Sequence, residues 1–342
     1  MATDYATEKM HGQNDSSRLI SDLVALNGAG MEIVNLPDLQ NVTQDRARGV
    51  VRIGVHREGS LPCEDLSGFD VLLSTDLGAP RPWVGVSSIQ LEPTLAALQL
   101  SINRQPVASS ITAQILRATE QMSFEHALVL ESLGYSVLLA SKGFRAWRSV
   151  TPVRKRIDDD APRVLSSRQD NTLRIRLSRA NVRNAFDARM RDELVAALEV
   201  AKFDTETSVE LTAEGNTFCA GGDLNEFGSA EDAGTAHLIR ILRSPCWLIH
   251  QLGSRIIIRL QGACVGAGIE IAAAAASVTA CSGAHFRLPE LSMGLLPGAG
   301  GTASIAGRIG RERTCYMAIS GADIDLRTAL AWGLVDAVEA VS

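Results

Sequence analysis

The sequence predicts an α/β protein that carries an extra helical region and a small mixed unit at its N-terminus. Residues 172–342 read as strand, helix and strand joined by turns of small residues, the pattern of an α/β core. Residues 88–147 carry helical periodicity, and residues 48–74 hold two short apolar runs of strand character.

In chain order, residues 1–18 are polar and are expected to be disordered. Residues 19–87 form the mixed unit: RGVVRIGVH at 48–56 and FDVLLS at 69–74 look like strands, with turn residues between Gly59 and Pro62. Ile89, Leu95, Leu98 and Ile102 then recur at helical spacing until Pro106 interrupts, and Ile111 and Ile115 restart the pattern. Ser123 is placed to cap a further helix, with Glu125 in its first turn. Residues 148–171 hold two prolines, a basic run and an acidic run without apolar period, and read as a linker. Leu173, Ile175 and Leu177 alternate with Arg174 and Arg176, marking a strand with one wet face. A helix is expected at about 187–202 and a strand at 208–212.

Composition narrows the function. With 46% hydrophobic and 21% charged residues, the 342-residue chain can bury a sizeable core. Its net charge of −6 argues against nucleic acid or an anionic membrane as the main partner. The apolar stretch around 256–284 is broken by Arg259, Glu270 and glycines, so no membrane span is expected. Six scattered cysteines without a C-x-x-C pair and a polar N-terminus suggest a reducing, cytoplasmic setting. The six histidines show no metal-ligand spacing, so no metal is expected. Phosphate-loop and G-x-S-x-G motifs are both absent.

Three stretches carry chemistry: NTFCAGGDLNEF at 216–227, QGACVGAGIEIAAAAA at 261–276 and HFRLPELSMGLLPGAGGT at 285–302. Glu270 is the only charge in a small-residue run, where burial penalises a carboxylate or raises its pKa. A helix opening after Gly266 would leave backbone N–H groups free for an oxyanion. The alternative is a glutamate that only satisfies such N–H groups.

Together these stretches resemble the enoyl-CoA hydratase/isomerase (crotonase) superfamily, whose pattern is F-C/S/A-A-G-x-D, then N-G-x-A/C-x-G-G-G-x-E, then F-x-x-P-E and P-G-x-G-G. Here they stand as FCAGGDL at 218–224, QGACVGAGIEIA at 261–272 and FRLPELSMGLLPGAGG at 286–301, with RTALAWGLVD at 327–336 extending the match. The resemblance implies a ββα spiral core and an acyl-CoA thioester substrate, with no cofactor beyond the CoA of that substrate. It implies an oxyanion hole from the N–H groups of Gly222 and Ala267, and catalytic Glu270 and Glu290 sharing a water. It also implies substrate contacts from Ala220, Gly221, Asp223, Leu224, Gly266 and Gly298. Hydration is the expected reaction; isomerisation, other enolate chemistry or non-catalytic acyl-CoA binding are the alternatives. Departures are Gln261 in place of the usual Asn, Ala267 in place of the middle Gly, and Ser254–Arg255 where Lys-Pro is usual.

Members of this superfamily usually continue past the G-L-V-D segment into helices that cover the site and build trimers. Residues 91–147 resemble that tail, including S-x-E-x-A-L-x-x-E from Ser123 to Glu131 and LLAS at 138–141. A circularly permuted arrangement is therefore expected, with these helices packed over Glu270 and Glu290. A homotrimer or homohexamer is expected with it.

Overall fold

The computed structural model describes residues 30–36, 49–154 and 160–339. The segment expected to be disordered, 1–18, lies outside the described residues, as do 19–29 and 37–48 of the mixed unit.

What is described of that unit is a four-stranded, all-parallel sheet in the order β1-β2-β3-β4. Its strands are β1 (Met31–Leu36), β2 (Val51–His56), β3 (Val71–Ser74) and β4 (Val84–Gly85). Both predicted runs are strands, while β1 and β4 escaped the sequence reading. Strand β4 has only two residues, and β1 alternates too mildly to stand out. Strand β2 is buried along its whole length, including Arg52, whose N–H donates to buried Asp70 at 2.9 Å.

Four helices follow: α1 (Ser88–Arg104), α2 (Pro106–Thr119), α3 (Phe124–Leu139) and α4 (Lys142–Val150). Pro106 opens α2 at its first turn, where the missing N–H costs nothing. The Ser123 hydroxyl accepts the His126 N–H and caps α3. One expected core position is corrected: Ile89 is 82% exposed, and the buried stripe of α1 is Leu91, Leu95, Leu98 and Ile102. Ile89 belongs to the first turn, outside the face that packs into the apolar cluster with Met293 and Ile319.

The expected linker is also shorter than 148–171. Helix α4 runs to Val150, and β5 (Val164–Gln169) forms an antiparallel pair with β6 (Thr172–Leu177). Hydrogen bonds from the Arg163 and Val164 N–H groups to Glu193 hold the start of β5, an anchor that composition cannot reveal.

The rest of the chain winds between two sheets. A six-stranded sheet has the order β13-β10-β8-β7-β6-β5, and a three-stranded one the order β12-β11-β9. After α5 (Ala188–Phe203) and β7 (Ser208–Ala213), the chain forms α6 (Ala233–Leu242) and α7 (Pro245–Leu252). It then places β8 (Ile256–Leu260) in the large sheet and β9 (Ala263–Val265) in the small one before α8 (Ala267–Ala272). The next turn repeats this with β10 (Ser277–Cys281), β11 (His285–Arg287) and α9 (Gly301–Ile309). Helix α10 (Arg311–Ser320), β12 (Ile324–Asp325), α11 (Leu326–Trp332) and β13 (Ala337–Glu339) complete it. This is a ββα spiral.

The N-terminal sheet and helices are not separate from the spiral. Leu98, Ile115 and Leu138 share an apolar cluster with Met293, Leu295 and Ile319. Buried Arg311 donates to the Ser67 and Phe69 carbonyls, and buried Arg313 to those of Ala79 and Trp83. Guanidinium groups with several donors suit such carbonyl-rich turns.

Candidate active site

Two glycine turns lie side by side. The Val265 N–H donates to the Cys219 carbonyl at 2.9 Å, and the Cys219 N–H to that of Ala263 at 3.3 Å. Glycine is required at the junction. Gly266 has φ +49°, and a Cβ there would sit 2.3 Å from Glu290 Oε1; at Gly268 it would sit 2.7 Å from the Cys219 carbonyl oxygen. Bringing these backbones together leaves the Gly222 and Ala267 N–H groups without a protein acceptor among the described residues, both on the wall of one cavity. Gln261, at the departure from Asn, donates to the Ala213 carbonyl at 2.7 Å and so braces the turn. Arg255, at the other departure, caps the carbonyls of Ala201, Asp204 and Thr207. Cys219 is buried, and burial pushes its thiol up to about 12, which leaves it a packing residue.

Glu270 and Glu290 both face this cavity, and Glu131 of α3 joins them. Glu270 Oε2 accepts the N–H groups of Ala299 at 2.7 Å and Gly301 at 3.0 Å. Glu131 accepts those of Gly300 at 2.7 Å and Thr302 at 2.8 Å, plus the Thr302 hydroxyl at 2.7 Å. Four consecutive N–H groups of the loop that opens α9 thus alternate between two carboxylates. Glycine at 301 permits it, since a Cβ there would meet Glu270 Cγ at 2.7 Å. Glu290 is different: its buried Oε2 has no hydrogen-bond partner among the described residues.

Burial sets the proton affinities. It raises Glu270 to about 7 against the pull of its two N–H donors. Glu131 rises to about 8, through burial first and the charge of Glu270 second. Glu290 is raised well above the ordinary carboxylate range by burial and then by Glu270. Three carboxyls this close cannot all ionise, so the cluster holds protons near neutrality and titrates as a unit.

Sequence reasoning missed Glu131, although its signal was present. It follows Ala127 by four positions and Leu128 by three, on the buried stripe of α3, where a lone glutamate needs a partner. The partner is the loop at 299–302, more than 160 residues away, which no local pattern announces.

The cavity has a volume of about 820 Å³. Leu128, Tyr135, Leu139, Phe144 and Ile241 give it apolar walls, and Arg145, Arg148, Arg191 and Arg243 also border it. Of the predicted substrate contacts, Asp223 and Gly298 line it; Ala220, Gly221, Leu224 and Gly266 do not. Gly221 and Gly266 act as spacers between the two turns, the Leu224 carbonyl accepts from Arg148, and the Asp223 carboxylate pairs with Arg179 at 2.9 Å. Among the described residues no group of three or more His, Cys, Asp or Glu could hold a metal, and no single helix is long and apolar enough to cross a membrane.

Residues 167–342 match the family model described as enoyl-CoA hydratase/isomerase. The chain is 34% identical over 177 residues to a 2,3-dehydroadipyl-CoA hydratase of Escherichia coli, covering 51% of this chain and 68% of the relative. It is 32% identical over 183 residues to the mevalonyl-coenzyme A hydratase of Beauveria bassiana, covering 50% of this chain and 65% of the relative. A solved enoyl-CoA hydratase of Thermoplasma volcanium is similar at 31% identity and a TM-score of 0.48, over 52% of this chain and 72% of that one.

Proposed function

Because the chain belongs to the enoyl-CoA hydratase/isomerase family, we propose that it adds water across the α,β double bond of a CoA thioester. One observation carries this reading: two desolvated carboxylates share a cavity wall with two unclaimed backbone N–H donors. In the proposed course, the Gly222 and Ala267 N–H groups hold the thioester oxygen as charge develops on it, a contribution of about 3 kcal/mol per donor in other systems. The loop at 299–302 holds Glu270 through Oε2 and leaves its Oε1 unengaged, so Glu270 takes the proton of the attacking water. Oxygen bonds to Cβ, the π electrons pass through Cα to the thioester oxygen, and Glu290 delivers its proton to Cα as the enolate collapses. Glu131 does not touch the substrate in this account. It positions the 299–302 loop and, through it, Glu270. The arginines bordering the cavity suit the CoA phosphates.

The proposal includes a permuted arrangement, supported by the fact that Glu131 and Tyr135 come from α3, upstream of the residues matching the family. It also includes a homotrimer or homohexamer needing no cofactor besides the CoA of its substrate. A cytoplasmic setting accords with the cysteines, which are all free, four of them buried.

Incubating purified protein with a panel of trans-2-enoyl-CoA thioesters and weighing the products tests the reaction. The expected product has gained the mass of one water. An unchanged mass with a shifted double bond would move the assignment to isomerisation, which needs only one carboxylate. Calorimetric binding of acyl-CoA without conversion of any thioester would replace catalysis by acyl-CoA binding.

A further inference from the structure

One cation in the cavity has no role in the chemistry above. Arg240 sits on α6, a helix with no buried residue of its own. Its guanidinium lies over the Tyr135 ring, with Cζ 5.1 Å from the ring centre. Nε donates to the Ser132 hydroxyl at 3.0 Å; Nη2 donates to the Ser132 carbonyl at 3.3 Å and to the Ser136 hydroxyl. Nη1 has no protein acceptor among the described residues, and no carboxylate oxygen lies within ion-pair distance of the guanidinium. Both oxygens of Glu131, the carboxylate whose charge reaches Arg240, are already taken by Gly300 and Thr302. The side chain is half-buried in a mainly apolar cavity, where a cation held only by neutral groups remains short of a counter-ion. Burial accordingly lowers its pKa.

Its anchor fixes where an anion would meet it. Ser132 adjoins Glu131, and Tyr135 lies one helical turn further on, packed so closely on Gly298 that a Cβ there would meet its ring at 2.4 Å. The guanidinium therefore stacks on a ring that packs against Gly298, the neighbour of the Ala299 N–H that holds Glu270, and it lines the same cavity as the carboxylates. A CoA phosphate is separated from the thioester by the whole pantetheine arm and does not belong so close to the reacting carbons. An acyl chain does. A fixed, planar guanidinium with an open N–H pair suits a carboxylate better than a hydroxyl or a methyl group.

We propose that Arg240 recognises a carboxylate at the distal end of the acyl chain, so that the substrates are enoyl-CoA thioesters of dicarboxylic acids. This rests on the hydratase reading, and the experiment separates the two. Hydration is measured for a straight-chain enoyl-CoA and for its counterpart of equal length ending in a carboxylate, with wild type, Arg240→Gln and Arg240→Lys. The expected wild-type preference in kcat/KM for the carboxylate substrate is about tenfold or more, the range of a hydrogen bond to a charged group. Arg240→Gln should abolish that preference through KM, and Arg240→Lys should restore part of it. Because the readout is a ratio, a general loss of folded protein moves both substrates alike and leaves it interpretable. No preference in wild type overturns the proposal. So does an Arg240→Gln defect shared equally by both thioesters, which would make Arg240 a phosphate ligand or a latch for α6. If wild type hydrates neither thioester, the hydratase reading fails. Calorimetry with the two saturated acyl-CoA compounds then decides the proposal, which stands if the carboxylate form binds about tenfold tighter and falls if the two bind equally.

Discussion

At the residue scale, the site is defined by carboxyls that folding has desolvated. A carboxyl whose proton affinity is higher in the folded chain stabilises that chain in acid. The contribution is lost as pH rises, because the unfolded chain ionises near 4.5 while Glu270 and Glu131 hold their protons to about 7 and about 8. Urea unfolding should therefore show stability falling between about pH 5 and pH 8, and less steeply in Glu131→Gln than in wild type. An equal slope in both proteins would remove Glu131 from the titrating cluster. The same variant should be less stable than wild type at pH 5 by about 1–3 kcal/mol, since its amide nitrogen, unlike the hydroxyl oxygen of a protonated carboxyl, cannot accept from a donor of the 299–302 loop. Glu270 and Glu290 were legible in the sequence because each stands in a dense local motif. Glu131 was not, since its meaning lies in N–H groups on a distant loop.

At the scale of elements, backbone approach decides the geometry. Gly266→Ala adds a methyl 2.3 Å from Glu290 Oε1 at a left-handed backbone, and Gly301→Ala adds one 2.7 Å from Glu270 Cγ. Each is expected to lower kcat by roughly a hundredfold or more, the cost of displacing a reacting group by about an ångström. Steady-state kinetics showing wild-type kcat in either variant would mean that the loop relaxes without moving its carboxylate. Two departures from the family pattern have structural roles. Gln261 donates to the Ala213 carbonyl from the position of the usual Asn, and Arg255 to the Ala201, Asp204 and Thr207 carbonyls from the position of the usual Pro. Strands β2, β3, β6 and β7 and helices α3 and α5 were readable from period and caps. Strands β1, β4 and β5 were not: β4 is too short for a period, and β5 is half-exposed and polar.

At the scale of the whole molecule, helices from the first half of the chain complete a site built by the second half, and buried arginines fasten the two. Arg311→Met would leave the Ser67 and Phe69 carbonyls without their donor and Glu120 and Glu312 without their cation. It should lower unfolding stability by about 3–5 kcal/mol in urea titrations, and a loss below about 1 kcal/mol would make the dock incidental. Glu270 and Glu290 are proposed to act together on one water. The direct measurement is kcat for hydration in Glu270→Gln, Glu290→Gln and the double variant. Each single change should reduce kcat by about 10²–10⁴-fold, and the double change by little more than the worse single one, because a pair acting as a unit is lost with either member. Wild-type turnover surviving in either single variant would contradict the account.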